Sequence, residues 1–395
     1  LAAWDDPYDP TTGANECAKP MQLVISDINP SYDTDKIPGV DSNFGSFSGD
    51  ISGLDVQNIL DSTISPNEPD VPGSHFIGQV GGTFDGAPTP KTVTSLGNIR
   101  GLAPEEPTKQ GGYYSAAIAY HGLTTDVSAA AESQNINTLA VAIASPLPQF
   151  EIPVADTTVT LVPFAKSVGG AGISTAEGNF QPTNTIVDFY IEDIRNTNAN
   201  NADASFNGGL PYYKFRINYE DAEQGADHDM DAISEYILTV NDNALVGDPS
   251  DDTITVQMNS VYAAGGVIQH MGYIISGTDT DGTYLEVRDT DTGAGSDRNY
   301  FLDTPNIAGA LPLSTSRTFI PGTAGGATLL KDPLWYAAKW GSFVDENDND
   351  IPDLASEWDE DGDGIPDSYF LVTNAGKLKE QLENAFTRIT ELIGA

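Results

Sequence analysis

The order of the apolar segments along the chain is the feature that most constrains its fold. Residues 21–27 form a short apolar run that ends in polar residues, which is typical of a buried parallel strand. An alanine-rich stretch with good helix propensity covers residues 112–123, and a second buried-strand candidate covers residues 138–144. Strand, helix and strand in this order predict an α/β layer, with Asp27 at the carboxyl end of the first strand.

The middle of the chain has a different pattern, in which short strand candidates are separated by Asn, Asp and Gly turns. These candidates are residues 186–191, 212–219, 236–240, 253–258, 272–275 and 284–287. The pattern predicts an antiparallel β-sandwich-like module at about residues 180–325.

The end of the chain returns to α/β character. Residues 369–372 are a strand candidate, and the amphipathic helix after it has apolar residues every three or four positions: Leu378, Leu382, Phe386, Ile389 and Leu392. We therefore expect a β-module inserted into an α/β domain. Residues 1–165 would form the opening part, with a long irregular loop at 62–107 that is rich in Gly, Pro, Asn and Thr, and residues 330–395 the closing part.

Acidic side chains outnumber basic ones by 58 to 17, which gives a formal net charge of −41. This charge repels nucleic acid phosphates and anionic membrane surfaces, so neither is expected as a partner. No run of residues reaches the ~20 apolar positions that a membrane-spanning helix needs. Bound divalent metal would offset the repulsion between carboxylates, and a salt-adapted surface is the alternative explanation of the charge.

Two acidic loops near the C-terminus repeat one pattern fourteen residues apart. In residues 359–367, carboxylates stand at relative positions 1, 3, 5 and 9, with glycine at position 6; they are Asp359, Asp361, Asp363 and Asp367. In residues 345–353, the same positions hold Asp345, Asn347, Asn349 and Asp353, and Asp350 replaces the glycine. Because Ca²⁺ takes six to eight oxygen ligands, and this spacing makes alternate side chains converge, the loops predict two or more bound Ca²⁺. The alternative is a pair of solvated acidic turns.

A third acidic segment, residues 220–231, lies between two strand candidates. Asp227, Asp229 and Asp231 alternate there and predict a further calcium site, with a metal-free loop as the alternative. His228 alone among carboxylates is a weak basis for zinc or iron. The acidic residues at 248–252, 279–282 and 289–291 are expected to be ordinary turns.

The sequence gives little basis for catalysis. It lacks the nucleophile-elbow, zinc-protease, phosphate-binding and dinucleotide-binding motifs, although paired carboxylates leave a glycosidase compatible with composition. We expect no enzyme activity. The single cysteine, Cys17, excludes an internal disulfide. Residues 1–6 lack the features of a signal peptide, and because the chain opens on Leu rather than Met and is acidic at once, we expect a processed or excerpted piece of a longer protein.

Long motifs in the chain resemble the PilY-type family of type IV pilus tip-associated adhesins and pilus assembly proteins. They include GGYYSAAIAYHGLTTD at 111–126 and LLKDPLWYAAKWGSF at 329–343. The resemblance continues at residues 21–39, 220–233, 263–277 and 284–291 and in the paired acidic loops.

The resemblance implies an incomplete von Willebrand factor A-like α/β domain, without the C-terminal β-propeller of the family. It places Asp27 where the family has the fourth-strand Asp of a metal-dependent adhesion site, as a remnant ligand, because no Asp-x-Ser-x-Ser motif is present. It also implies an extracellular, pilus-associated location on the cell surface, with pilin, minor pilins and a host or abiotic surface as partners.

The predicted function is that of an extracellular calcium-binding adhesin or pilus-tip component, active in surface attachment and in type IV pilus assembly or motility. The alternative is a structural filament subunit, in which processed fragments assemble with copies of themselves through exposed sheet edges.

Overall fold

A three-stranded parallel sheet forms the centre of the α/β part. The computed structural model describes residues 8, 18–28, 34, 36–49, 51, 53–102, 111–128, 132–143, 148–170, 172–174, 181–221, 231–242, 251–306, 309–322 and 326–394. The sheet has the order β1 (Met21–Asp27), β5 (Asn137–Ile143) and β15 (Tyr369–Val372), and both pairings are parallel. The three strands predicted from apolar runs are thus confirmed, although β1 is an edge strand and Ile25 in it is 52% exposed.

Helices cover both faces of this sheet because successive side chains of a strand point to opposite sides. Ala140 and Ala142 of β5 share one core with α2 (Tyr114–Thr124) and α3 (Pro333–Gly341). Val141, between them, packs with α4 (Leu378–Gly394) on the other face. The predicted helices at 112–123 and at the C-terminus are confirmed.

The prediction of an irregular loop at 62–107 is wrong for the residues that the structure describes there, 62–102, because most of them form regular secondary structure. The segment contains β2 (Gly73–Val80), β3 (Thr83–Val93) and β4 (Ile99–Leu102), which form an antiparallel sheet of order β3-β2-β4. Pro88 and Pro90 lie in β3, an edge strand, where the missing N–H need not serve a second ladder. The proline and glycine content of this segment therefore led to the prediction of a loop, although an edge strand accommodates these residues.

A short helix precedes this small sheet. It begins as α1 (Val56–Ile59), continues as a π-helical turn (Leu60–Ile64) and ends as a 3₁₀ turn (Ser65–Asn67). Further single 3₁₀ turns lie at Leu96–Asn98, Ala199–Asn201, Asn207–Gly209, Ala355–Glu357 and Ala375–Lys377. Among the described helices, none is long and apolar enough to cross a membrane.

Two antiparallel sheets form the predicted sandwich. The first has the order β14-β11-β10-β9-β8, and its strands are β8 (Thr185–Arg195), β9 (Tyr212–Glu220), β10 (Ala232–Asn241), β11 (Thr253–Ala263) and β14 (Ser314–Phe319). The second has the order β13-β12-β7-β6, and its strands are β6 (Phe150–Val154), β7 (Thr157–Gly169), β12 (Ile268–Ser276) and β13 (Gly282–Arg288).

The sandwich begins earlier than the predicted boundary at residue 180. β6 and β7 pair with each other and with β12, so residues 150–169 belong to the module rather than to the α/β part. β5 and β15 are neighbours in the parallel sheet, and the module separates them in the sequence. This is the inserted arrangement expected from the strand and helix order.

The sandwich core is built by alternation and by stacked aromatic rings. Every second residue of β9 and β10 is buried. The Phe215 ring stacks on Phe150 at 4.1 Å and on Tyr236 at 5.0 Å between ring centroids. The Tyr236 hydroxyl donates to the carbonyl of Gly272 at 2.6 Å and lies 2.7 Å from the Tyr219 hydroxyl. These polar contacts join the two sheets inside an apolar core.

Candidate functional site

The acidic loops follow α3, which is held firmly in the core. Asp332 caps α3 by accepting from the backbone N–H of Trp335 at 3.0 Å. The Trp335 ring meets Trp358, between the two loops, edge to face at 5.7 Å. Lys339 Nζ lies 4.3 Å from the centre of the Trp358 ring and pairs with Glu68 at 2.8 Å. The loops are therefore anchored to a fully buried helix.

Buried Glu357 fixes the turn that connects the loops. Its carboxylate accepts from the N–H groups of Glu346 and Leu354, both at 3.0 Å, and its own carbonyl accepts from Val344 N at 2.9 Å. One side chain thus ties the start of the first loop to the end of that loop.

In the second loop, three predicted ligands converge. The Asp359 oxygens accept backbone N–H groups, Oδ1 from Gly362 at 2.9 Å and Oδ2 from Gly364 at 2.8 Å. Asp361 Oδ1 accepts from Asp363 N at 3.2 Å. Asp359, Asp361 and Asp363 each bring one carboxylate oxygen within 4.8 Å of the others. Such a cluster of hard oxygen ligands suits a divalent cation.

In the first loop, all four predicted ligands are connected. The Asp345 carboxylate accepts from Asn349 N at 3.1 Å and Asp350 N at 2.9 Å, and these backbone hydrogen bonds lower its pKa. The amides of Asn347 and Asn349 donate to the two oxygens of Asp353, at 3.0 and 3.1 Å. The side chains at positions 3, 5 and 9 therefore lie together, and the side chain at position 1 holds the backbone of the same turn.

The backbones of the two loops match at the positions that require a left-handed conformation. Asp348 and Asp350 have φ of 57° and 59°, and Gly362 and Gly364, fourteen residues later, have φ of 75° and 83°. The expectation that Asp350 takes the place of a glycine is confirmed. The matching role of Asp348 was not predicted, because the repeat was aligned only at one glycine.

Asp367 departs from the predicted arrangement. It is not part of the triad with Asp361, and its Oδ2 accepts from Glu360 N at 3.3 Å and from Arg388 Nη2 of α4 at 3.4 Å. Burial raises the pKa of Asp367. Of the eight loop residues predicted as ligands, Asp367 contacts a charged group of α4 in addition to its own loop, whereas the hydrogen bonds of the other seven stay within their own loops.

The remaining predicted ligands do not form a site among the described residues. Asp227 and Asp229 lie outside the described residues, and the Asp231 carboxylate accepts from Asp221 N at 3.0 Å. Asp27 is exposed at the carboxyl end of β1, and neither acidic triad of the described residues includes it. These four positions, Asp27, Asp227, Asp229 and Asp231, therefore stay predictions.

A second acidic triad was missed from sequence. Asp242, Asp251 and Asp252 bring carboxylate oxygens within 4.8 Å of one another at the ends of β10 and β11. The strand register pairs Asn241 of β10 with Thr253 of β11. Asp242, which follows Asn241, and Asp252, which precedes Thr253, therefore lie close together at this end of the two strands. Only the pairing of β10 with β11 brings these three carboxylates together. The local sequence of residues 248–252 predicted an ordinary turn.

The architecture defines a mixed α/β protein that carries an inserted β-sandwich and a pair of acidic repeat loops. Residues 1–122 match the family described as PilY1 homolog, second domain, and residues 152–318 match PilY1 homolog, beta-sandwich. A type IV pilus biogenesis factor PilY1 homolog of Xylella fastidiosa (strain Temecula1 / ATCC 700964) is 43% identical over 427 residues, which cover 99% of this chain. No solved structure matches the chain.

These matches confirm the resemblance seen in the sequence: the chain belongs to the family of PilY1 homologs. It spans 27% of the length of the Xylella protein, about a quarter.

Proposed function

We propose that this chain is an extracellular, calcium-binding part of a pilus-tip component that acts in surface attachment and in type IV pilus assembly or motility. The relative's name as a type IV pilus biogenesis factor supports the pilus role. The observation that carries the calcium role is the convergence of Asp359, Asp361 and Asp363 in a loop whose pattern is repeated at 345–353.

Calcium suits these loops better than a transition metal. Their side-chain ligands are carboxylate and amide oxygens, and no histidine or cysteine stands in residues 345–367. In the first loop, rotating the amides of Asn347 and Asn349 would present oxygens in place of the nitrogens that now contact Asp353. A net charge of −41 further favours cation uptake.

The ions would stiffen the path from α3 to the closing strand. Asp367 is two residues from Tyr369, where β15 begins, and Trp358 anchors the segment to α3. The proposed chemistry is binding without turnover, and the partners are pilin, minor pilins and a host or abiotic surface. The parallel sheet is proposed to be the later half of a von Willebrand factor A-like domain, with Asp27 as a remnant ligand.

A calorimetric calcium titration of the chelator-stripped chain tests the calcium role. We expect at least two ions and a raised melting temperature, because a ligand that binds only the folded state stabilises it. The double variant that combines Asp361→Ala and Asp363→Ala should bind one ion fewer. The control, Glu380→Gln with Glu383→Gln, removes the same charge from the exposed side of α4 and should keep both ions. A stripped wild type that takes up no calcium and melts unchanged would overturn the proposal.

A filament subunit is the second candidate, favoured by the edge of the parallel sheet. Among the described residues, β1 pairs only with β5, and Ile25 is largely exposed beside the open edge. Two edges of the sandwich are less suited to strand addition, because β6 contains Pro153 and the register of β8 with β9 is interrupted. Concentration-dependent filaments by electron microscopy, lost in Ile25→Lys, would support this candidate. A chain that stays monomeric at all concentrations would exclude it.

A further inference from the structure

The two acidic loops, residues 345–353 and 359–367, can be compared position by position. They differ in the contacts of the residue at the ninth position. Asp353 turns into its own loop, where its two oxygens accept from Asn347 and Asn349. Asp367, at the equivalent position, accepts with Oδ2 from Glu360 N of its own loop and also from Arg388 of α4. The two backbones match at their left-handed residues, so the difference lies in the side-chain partner.

The Asp367–Arg388 pair is partly shielded from solvent. The side chains are 20% and 18% exposed, and Arg388 Nη1 also reaches Glu391 at 3.4 Å. An open cleft of about 490 Å³ separates the loop from the helix and is lined by Asp361, Asp367, Phe370, Asn384, Thr387 and Arg388. The carboxylate therefore has space beside it in which to change its orientation.

α4 itself has few anchors on the sheet. Among its described side chains only Ala385 is fully buried, and Phe386 and Ile393 are 59% and 56% exposed. Leu378 and Leu382 pack partly against Val141 and Val372 of the sheet. A helix held by so small an apolar contact is sensitive to the loss of one shielded ion pair.

We propose that Asp367 has two alternative partners, Arg388 of α4 and a Ca²⁺ ion in the 359–367 loop, so that calcium binding releases Arg388 and loosens the C-terminal half of α4. This inference rests on the proposed calcium binding. It extends that proposal by naming the element of the fold that responds to the ion. The guanidinium is always charged, so it competes with the cation for the same carboxylate.

Competition of this kind is reciprocal. If calcium weakens the contact between the loop and α4, then the contact weakens calcium binding by the same factor. Arg388→Gln should therefore raise the affinity of one calcium site by roughly 2- to 5-fold, the range expected from an ion pair that is partly exposed.

The test combines calorimetry with hydrogen–deuterium exchange on the full chain. The matched control is Lys379→Gln, which removes the same charge from the same helix at a side chain that is 86% exposed. We expect calcium to speed amide exchange across residues 384–391 in the wild type. In Arg388→Gln, exchange there should already be fast without calcium and should change little on addition.

The outcomes separate the two proposals. A wild type that binds no calcium overturns the proposed function and the inference with it. Calcium binding with unchanged exchange at 384–391 overturns the inference alone, and this measurement needs no variant. An affinity gain in Lys379→Gln equal to that in Arg388→Gln would show a general charge effect, and it would also overturn the inference.

Discussion

Lys166 Nζ lies 3.0 Å from the hydroxyl of Tyr300, and both residues are buried. The same Nζ donates to the carbonyl of Gly86 in β3. Lys166 therefore joins the sandwich, the small sheet and the segment before β14 at one point. Burial lowers its pKa to about 7, and Asp85 only partly opposes this effect.

Lys166→Met should flatten the pH dependence of stability between pH 7 and 10. The pKa of Lys166 is about 7 in the folded chain against 10.5 for the ordinary side chain, so the unfolded chain binds more protons in that window. Stability contributed by this group therefore rises with pH, by up to about 1.4 kcal/mol per pH unit. Denaturant unfolding of wild type and variant at several pH values measures the difference. Parallel pH profiles would contradict the assignment.

His270, which pairs with Lys166 across β12 and β7, should have the opposite pH dependence. Burial disfavours its imidazolium, but hydrogen bonds to Asp297 (2.8 Å) and Asp303 (2.7 Å) outweigh burial and raise its pKa to about 9. Its stabilisation is complete below the unfolded value of 6.5 and is lost as pH rises through about 9.

His270→Gln tests this clamp. The variant leaves two buried carboxylates without a cation, which should cost about 3–5 kcal/mol in the free energy of unfolding at pH 6. The cost should shrink above pH 9, where the wild-type imidazole is itself neutral. A cost that is the same at pH 6 and pH 10 would show that His270 contributes packing and no charge.

Tyr236→Phe should destabilise the sandwich more than Tyr219→Phe. The Tyr236 hydroxyl donates to Gly272 O and lies beside the Tyr219 hydroxyl, so its removal leaves two buried polar groups without this partner. Tyr219→Phe leaves the bond from Tyr236 to Gly272 intact. We expect a loss of about 1–3 kcal/mol for the first variant and about 0.5–1.5 kcal/mol for the second, by denaturant unfolding. Equal losses would mean that the hydroxyls act only through packing.

Local patterns in the sequence predicted those parts of the fold that depend on local physics. Apolar runs gave β1, β5 and β15, and the helical period gave α4, because burial on a sheet imposes these patterns directly. The small sheet was missed because Pro88 and Pro90 are acceptable on its edge strand.

The candidate site likewise has parts that local sequence predicts and parts that depend on tertiary packing. Ligand spacing within one loop predicted the convergence of Asp359, Asp361 and Asp363, since nine consecutive residues hold all the information. The contact of Asp367 with Arg388 joins residues 21 positions apart through the packing of α4, which the sequence spacing does not contain. The triad at Asp242 likewise depends on strand register.

The left-handed positions of the acidic loops give a prediction in which one repeat controls for the other. An alanine at Gly362 would meet no atom within 4 Å, so Gly362→Ala changes the backbone preference at φ 75° and nothing else. It should cost about 1–2 kcal/mol of stability, the penalty of a left-handed residue that has a Cβ atom. Asp348→Gly, at the equivalent position with φ 57°, should gain up to about 1 kcal/mol, because glycine relieves the same strain. Thermal unfolding in chelator measures both, since it removes any contribution from bound metal. Changes of the same sign in the two variants would show that the loops do not share one backbone conformation.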